Sequence, residues 1–529
     1  MKRQAMHTTT LALLVGPSNT LAPLSLMKQK RVRSLRASEW KSDFDDFVND
    51  GESSLFFNEA QFTTPTDAFD DLSGCKSRQF SLGLDLVLSD FAGSMGFDEV
   101  TDWEYYREDD DGRERQVVQP NPLDPAQPRR TRSSSGSVVR VFRGEFIGRL
   151  GSTMRSQGLD SRILVKEYSG KLALDLARAE LTSIGKLQSD LASNTSNNVK
   201  DGEWLKIARS RSVNGRKDDL NLCSMSKALL KAPFLGTLGE VNLAELEDEL
   251  DPNEFYRALG VQPPKPGAIW IVYEYAGLTS LATFCQPAEI RRSKLPPKRG
   301  FLGAILPDPI PSWAERSRYV RAIMKQSLEA VAFIHDSGIS HRSIGRSSLI
   351  MCGFGQDKTQ ASSVYAVNPS FLLMKVGDFG FSGLMELATY DSGVRQRART
   401  FGIAIQEGKM TEDVKAFCQA EDLHALGLVF VALLLTALAE VEGPRANLPA
   451  TDDDTLQRLM SDIFEKDIMQ FREYVEAEEM WENVVGMLDT LGGWELLSSL
   501  CFAREAVKDG NVSTARRLLS SAFFTTAAR

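Results

Sequence analysis

The chain has 529 residues, a formal net charge of −9 and a sequence pI of about 5.3, with 25% charged and 42% hydrophobic residues. That length supports two or more core-bearing units plus tails, and the acidic balance excludes a sequence-wide basic field for nucleic acid. Six scattered cysteines (Cys75, Cys223, Cys285, Cys352, Cys418, Cys501) form no Cys-x-x-Cys pair, which fits a reducing compartment and not a disulfide framework. The four histidines, His7, His335, His341 and His424, are too dispersed for a zinc site. The longest apolar run, 426–438, falls short of the roughly 20 residues needed to cross a bilayer. It is therefore expected as a buried core helix, and no transmembrane segment is expected.

Residues 1–38 open on Met1-Lys2-Arg3, pass through a short apolar run at 8–15, and continue beyond Leu21-Ala22-Pro23. Lys28, Lys30, Arg31, Arg33 and Arg36 follow with no acidic residue between them. A basic start, a short apolar core and a small-residue boundary suit a signal peptide, and an acid-free basic tail suits a transit peptide. Together they resemble the two-part presequences of plastid proteins in algae with secondary plastids. A mitochondrial or secretory leader and an untargeted cytoplasmic tail are the alternatives. Residues 39–137 read as an acidic extension and linker. Trp40, Phe44, Phe47 and Val48 have the spacing of a short amphipathic helix. Asp109-Asp110-Asp111-Gly112 separates two strand-like runs and predicts a hairpin turn, because Gly tolerates positive φ. Residues 121–137, with Pro122, Pro125, Pro128 and Ser133-Ser134-Ser135-Gly136, read as a linker.

From 138 to 150 the chain alternates into a strand and carries Gly144, Gly148 and Gly151. Ile163-Leu164-Val165-Lys166 is an apolar strand ending in lysine, and a helical pattern containing Glu180 follows it. The polar stretch 189–227 reads as a surface insertion. Two more strands are expected at 234–241 and 269–273, the second leading into Tyr273-Glu274-Tyr275-Ala276-Gly277. A proline-rich basic loop at 287–311 precedes a helix predicted over 319–335 from Val320, Ile323, Met324, Leu328, Val331 and Ile334. Then come His341-Arg342-Ser343-Ile344-Gly345-Arg346-Ser347-Ser348, a hairpin from 349–351 and 371–374 with an insertion at 355–370, and Lys375-Val376-Gly377-Asp378-Phe379-Gly380. Arg395, Arg397 and Arg399 lie beside Thr400. Asp422-Leu423-His424-Ala425-Leu426-Gly427 opens onto the apolar run, and helical periods continue over 455–491, 494–507 and 513–524.

This series, over roughly residues 138–524, resembles the eukaryotic-type protein kinases, whose motifs include Val-Ala-Ile-Lys, His-Arg-Asp-x-x-x-x-Asn and Asp-Phe-Gly. The resemblance implies an α+β, protein-kinase-like two-lobed fold. A small antiparallel β-sheet lobe with one main helix would occupy 138–275, and a larger helical lobe 276–529. Gly144, Gly148 and Gly151 stand where the family carries a Gly-x-Gly-x-x-Gly phosphate loop, although their spacing is Gly-x-x-x-Gly-x-x-Gly. Lys166 and Glu180 match the ion pair that holds an ammonium against the nucleotide phosphates. Glu274 and Ala276 match the hinge whose backbone meets adenine, with Tyr273 narrowing the pocket behind it. His341 and Arg342 match the structural part of the catalytic loop: the histidine packs on Asp-Phe-Gly, and the arginine meets an activation-segment phosphate. Thr400 is read either as a phosphothreonine ordered by Arg395, Arg397 and Arg399 or as part of a mobile basic loop. Asp378 matches the metal-binding aspartate, and Asp422 the aspartate that braces the loop backbone. The family's Ala-Pro-Glu and its partner arginine are both missing, which avoids stranding one buried charge.

Three replacements decide what chemistry the resemblance permits. Ser343 stands where the family has its proton-accepting Asp, Ser348 where it has a metal-binding Asn, and Gly345 where it has a lysine at the γ-phosphate. A serine does not accept a proton near pH 7, and losing a general base costs on the order of 10²–10⁴ in rate. The expectation is a pseudokinase that binds ATP, with Mg²⁺ on Asp378 and Ser348, and acts as a regulator or scaffold for a protein partner. The alternative is a divergent serine/threonine kinase that transfers the γ-phosphate to protein hydroxyls, with Asp336 or Glu386 as base.

Overall fold

The computed structural model describes residues 78–100, 104–108, 114–118, 132–195, 215–242, 259, 267–277, 279–285, 312–353, 372–440, 453–490, 492–511 and 513–525. The presequence, the 40–48 helix and the loops at 287–311 and 355–370 lie outside the described residues. The chain is mixed α+β.

Its sheet contains β1 (Gln79–Phe80), β2 (Leu86–Val100), β5 (Arg132–Phe146), β6 (Arg162–Ser169), β7 (Thr237–Val241) and β8 (Ile269–Glu274). A separate hairpin of β3 (Glu104–Glu108) and β4 (Glu114–Val118) lies between β2 and β5 in sequence. The sheet order is β1-β7-β8-β6-β5-β2, with β1–β7 parallel and the other neighbours antiparallel. The expected hairpin is present: Glu108 pairs with Glu114 across the Asp-Gly stretch. The expected boundary at 138 is not a boundary of the sheet. Leu86 and Leu88 are buried, and β2 pairs along the length of β5. Ser133 and Ser134, expected in a linker, pair with Glu99 and Asp98 as part of β5. Cross-strand pairing outweighs their turn-prone composition, and Gly136, at φ +67°, sits in the β2–β5 irregularity between Gly96 and Asp98.

Strand β6 is central, with Lys166 paired to Val141 on one side and Ile271 on the other. Side chains alternate across a strand, so Leu164, Lys166 and Tyr168 share one face. The opposite face carries Val165 and Glu167; Glu167 meets Arg140 at 3.2 Å. The aromatic pair Phe142–Trp270, 5.9 Å between ring centres, packs in the same core.

The helices begin with α1 (Gly148–Ser156), α2 (Lys171–Thr195) and α3 (Gly215–Leu229). The expected insertion at 189–227 is thus in part helix: α2 runs on to Thr195, and α3 buries Leu222 and Cys223. Within α3, Asp219 receives Arg149 at 2.8 Å and Arg78 at 2.9 Å, tying it to α1 and to the start of β1.

Beyond the sheet come α4 (Leu281–Phe284), α5 (Trp313–Asp336), α6 (Ser392–Thr400) and α7 (Glu412–Ala437). Helix α5 starts on a capping box in which Ser312 and Glu315 satisfy each other's backbone amides. Helix α7 is capped by Thr411, with Glu412 and Asp413 in its first turn. It is the one helix among the described residues long and apolar enough to cross a membrane, and 83% of its apolar window is buried inside the protein. It packs against α5, α8 (Asp453–Arg458), α11 (Gly493–Cys501) and α12 (Ala503–Lys508). Between α8 and α11 run α9 (Ile468–Glu476) and α10 (Glu482–Asp489), so the period over 455–491 resolves into several helices broken at Glu465 and Lys466, both with positive φ. Two short turns, α13 (Ala515–Leu518) and α14 (Ala522–Thr525), close the described chain.

Small strands line the junction between sheet and helices. They are β9 (Thr279–Ser280), β10 (Ile339–Ser340), β11 (Leu349–Gly353), β12 (Leu372–Val376) and β13 (Gly383–Leu384). Strand β11 pairs with β9 and β12, and β10 with β13. The segment before β7 fastens to β12 through Leu235 N to Val376 O, 2.7 Å, and Val376 N to Pro233 O, 3.0 Å.

Candidate functional site

Lys166, Glu180 and Asp378 meet at this junction. The lysine projects from β6 and the glutamate from α2, and Asp378 follows β12. Lys166 Nζ donates to Glu180 Oε1 at 3.0 Å and to Asp378 Oδ1 at 2.7 Å. Burial disfavours its charge, but Asp378 and Glu180 outweigh burial and hold the ammonium pKa well above the ordinary value. Two tyrosines complete the cluster. Tyr168 shares the Lys166 face of β6 and donates its hydroxyl to Glu180 Oε2. Its oxygen lies 3.4 Å from that of Tyr273, whose ring stands 5.0 Å from Lys166 Nζ. Burial and the Glu180 carboxylate push both phenols well above their usual pKa.

The loop from His341 to Ser348 faces Asp378. His341 donates Nε2–H to Gly377 O at 2.9 Å, which leaves Nδ1 as an acceptor. Ser343 Oγ lies 3.2 Å from that Nδ1 and 3.4 Å from both His341 O and Asp378 O. Burial holds the His341 pKa below the ordinary histidine value, and its ring packs edge-on against Phe379 at 4.8 Å. Arg342 and Asp378 both adopt φ +62°, a left-handed conformation that a non-glycine residue keeps only when its surroundings hold it. Asp422 supplies that hold for the loop. Its Oδ2 accepts from His341 N at 2.7 Å and from His335 Nε2 at 3.0 Å, and its Oδ1 accepts from Arg342 N at 2.6 Å. Burial raises the Asp422 pKa, but the His335 hydrogen bond and nearby charge outweigh it, and the net shift is downward.

Arg342 reaches a carboxylate. Its Nη1 donates to Asp391 Oδ2 at 2.7 Å, while Asp391 Oδ1 caps α6 by accepting from Val394 N at 3.1 Å. Thr400 is exposed at the far end of α6 and donates to Arg397 O at 2.6 Å. Arg397 is held by Glu421 at 2.8 Å and Arg395 by Glu407, so these two arginines turn to carboxylates.

Several expected site residues have other partners. Gly144 lies within β5, where a Cβ would sit 2.4 Å from Val87 O. Gly148 begins α1 at φ +57°, and Gly151 lies inside that helix, where a Cβ would sit 2.2 Å from Phe146 O. The chain's own backbone fills the close approach expected of a phosphate, so these three glycines form a strand-to-helix turn and not a single loop. Glu274 ends β8 opposite Ile163, and its side chain is buried against Lys375 Nζ at 2.6 Å; Lys375 also donates to Leu229 O at 2.5 Å. Ala276, buried beside it, follows on the path past the strand end. Asp336 is tied to Arg516 at 2.7 Å on the surface, and Glu386 is exposed.

The family resemblance implies a divalent cation on Asp378 and Ser348, and the donors present do not fit one. Ser348 is 2% exposed; its hydroxyl accepts from Gly345 N and donates to Gly345 O, both at 3.0 Å. Magnesium at a nucleotide site usually rests on one or two carboxylates plus the phosphates; here the single carboxylate is already held by an ammonium and the hydroxyl is neutral and closed within its own turn, so the protein's own share of the donors is weak. No group of three or more His, Cys, Asp or Glu side chains suited to a metal ion occurs among the described residues.

Sequence reasoning missed Tyr168, the Lys375–Glu274 pair and Arg504. Arg504 is buried, donates from Nη2 to His424 Nε2 at 2.6 Å and approaches Glu421 at 3.7 Å. His424 in turn donates from Nδ1 to Cys501 O at 2.5 Å. A charged residue inside an apolar strand, as Lys375 is, was the available signal. No protein-family model matches this chain, and no curated protein matches it significantly.

Proposed function

We propose that the chain is a protein-kinase-like, two-lobed module that binds an adenine nucleotide and acts as a pseudokinase, a regulator or scaffold for a protein partner. The carrying observation is the buried Lys166–Glu180 pair joined by the partly exposed Asp378, facing a loop whose proton-acceptor position is Ser343. In this fold a lysine held by a glutamate is the group that meets the nucleotide phosphates, and the aspartate across the cleft serves transfer. The Asp422 brace on His341 and Arg342 supports the same alignment, as does the contact of His341 with Phe379. The surroundings of Ser343 argue against catalysis. Its hydroxyl faces Nδ1 of a buried histidine and two carbonyls, none of them a strong base. The alternative bases do not rescue transfer: Asp336 is held by Arg516, and Glu386 points to solvent.

The test pairs two measurements on the full chain. ATP should raise the thermal midpoint, and labelled γ-phosphate should not pass to generic protein substrates or to the chain itself above the level of an Asp378→Ala variant. Transfer by the wild type that this variant lacks would establish a divergent serine/threonine kinase instead.

A further inference from the structure

We propose that this site takes its nucleotide without a divalent cation, the phosphates displacing Asp378 from Lys166. The inference rests on the nucleotide-binding reading above and concerns how the charge is balanced.

Lys166 is one cation between two carboxylates, so the cluster is already anionic before any ligand arrives. A phosphate chain adds negative charge, and either a metal joins it or one carboxylate gives way. Ser348 offers a metal little, because its neutral hydroxyl is 2% exposed and closed onto Gly345, and the remaining carboxylate, Asp378, is already held by Lys166. Of the two acids, Glu180 is fixed: its side chain is 2% exposed and grips both Lys166 and the Tyr168 hydroxyl. Asp378 is the one free to leave. Its side chain is 32% exposed, so it can rehydrate when it releases the lysine. Lys166 keeps its bond to Glu180 and turns its freed N–H toward a phosphate oxygen, whose charge takes the place of the carboxylate. Asp378 then acts against the nucleotide, as a competitor for Lys166 and a like charge near the phosphates. In a metal-using site the same aspartate is indispensable, so removing its charge has opposite effects in the two cases.

The experiment measures binding of a fluorescent ATP analogue by anisotropy, in EDTA and in excess Mg²⁺, for the full-length wild type and Asp378→Asn. The substitution keeps the shape of a partly exposed side chain, and a thermal melt checks that the variant is folded. Wild type should bind equally in both buffers, within about twofold, and Asp378→Asn should bind about tenfold tighter in EDTA, the change expected when one competing charge is removed. Wild-type binding that needs Mg²⁺, or a variant that loses binding, overturns the inference and leaves nucleotide binding intact. Absence of binding by both proteins in both buffers overturns the nucleotide reading itself.

Discussion

Asp422→Ala tests whether one carboxylate holds the loop in its left-handed conformation. Three donors converge on that side chain: His341 N at 2.7 Å, Arg342 N at 2.6 Å and His335 Nε2 at 3.0 Å. Asp422 is 1% exposed, so water cannot replace it without the core opening. A hydrogen bond to a charged group contributes roughly 1.5–3 kcal/mol, and a buried donor left without a partner costs roughly 1–3 kcal/mol. Arg342, at φ +62°, carries the roughly 1–2 kcal/mol that an L-residue loses in this region, and relaxation of the freed loop offsets part of the loss. These contributions are not additive, because the loop relaxes. The expected loss is therefore about 3–5 kcal/mol, the range for breaking a buried charged interaction. Asp422→Asn retains one oxygen for two donors and turns an amide N–H toward the third, so about 2 kcal/mol is expected. Urea unfolding followed by tryptophan fluorescence reads this as a lower midpoint at unchanged slope. A loss below about 1 kcal/mol for the alanine variant would refute the claim that Asp422 holds the loop.

Other consequences follow from neighbouring contacts. Lys375→Met should cost about 3–5 kcal/mol by leaving Glu274 charged and buried. Pairing it with Glu274→Leu should cost less than the sum of the single changes, and additivity in a double-mutant cycle would remove the proposed coupling. The folded pKa of His341 is lowered, so its contribution is complete above the unfolded value of about 6.5 and is lost as pH falls below it, by at most about 1.4 kcal/mol per pH unit. His341→Gln should flatten that part of the stability profile measured between pH 7.5 and 5. Asp391→Ala removes both the α6 cap and the Arg342 partner, and should cost about 1 kcal/mol locally, seen as faster amide exchange over 392–400 with phosphatase-treated protein. Ser343→Asp alone should leave γ-phosphate transfer at background, since Gly345 and Ser348 are unchanged.

The site was more legible in the sequence than the sheet was. Lys166, Asp378, His341 and Asp422 each sit in a short recognisable string, and the structure joins Lys166 to Glu180 and Asp378, and Asp422 to His341. Sheet boundaries depend on partners distant in sequence. Strand β2 alternates weakly and is interrupted by Gly93 and Gly96, so its membership shows only through its pairing with β5. Helix α3 was hidden by its Asn, Ser and Lys content, although Leu222, Cys223 and Leu229 line one buried side. A glycine such as Gly144 or Gly151 signals close approach without saying of what; here it is the backbone of Val87 and Phe146. Ser348 could not be judged from its neighbours in sequence, because whether a hydroxyl is available or closed in its own turn is a matter of geometry.

On the proposed reading, the residues at 343, 345 and 348 differ from the kinase pattern in one electrostatic sense. The oxygen of Ser343 is surrounded by acceptors: Nδ1 of a neutral histidine and the carbonyls of His341 and Asp378. A hydroxyl satisfies such a place by donating, whereas a carboxylate would need a nearby cation to be tolerated. The cation the family supplies at 345 is absent, and a Cβ at Gly345 would meet nothing within 4 Å. The metal that would share the remaining charge lacks its ligand at 348. With both positive partners gone, a neutral donor at 343 is the choice that leaves no buried charge uncompensated. Lys166 is the cation that stays, matched by Glu180 and Asp378, and on the proposed reading it is the group left to grip an anion.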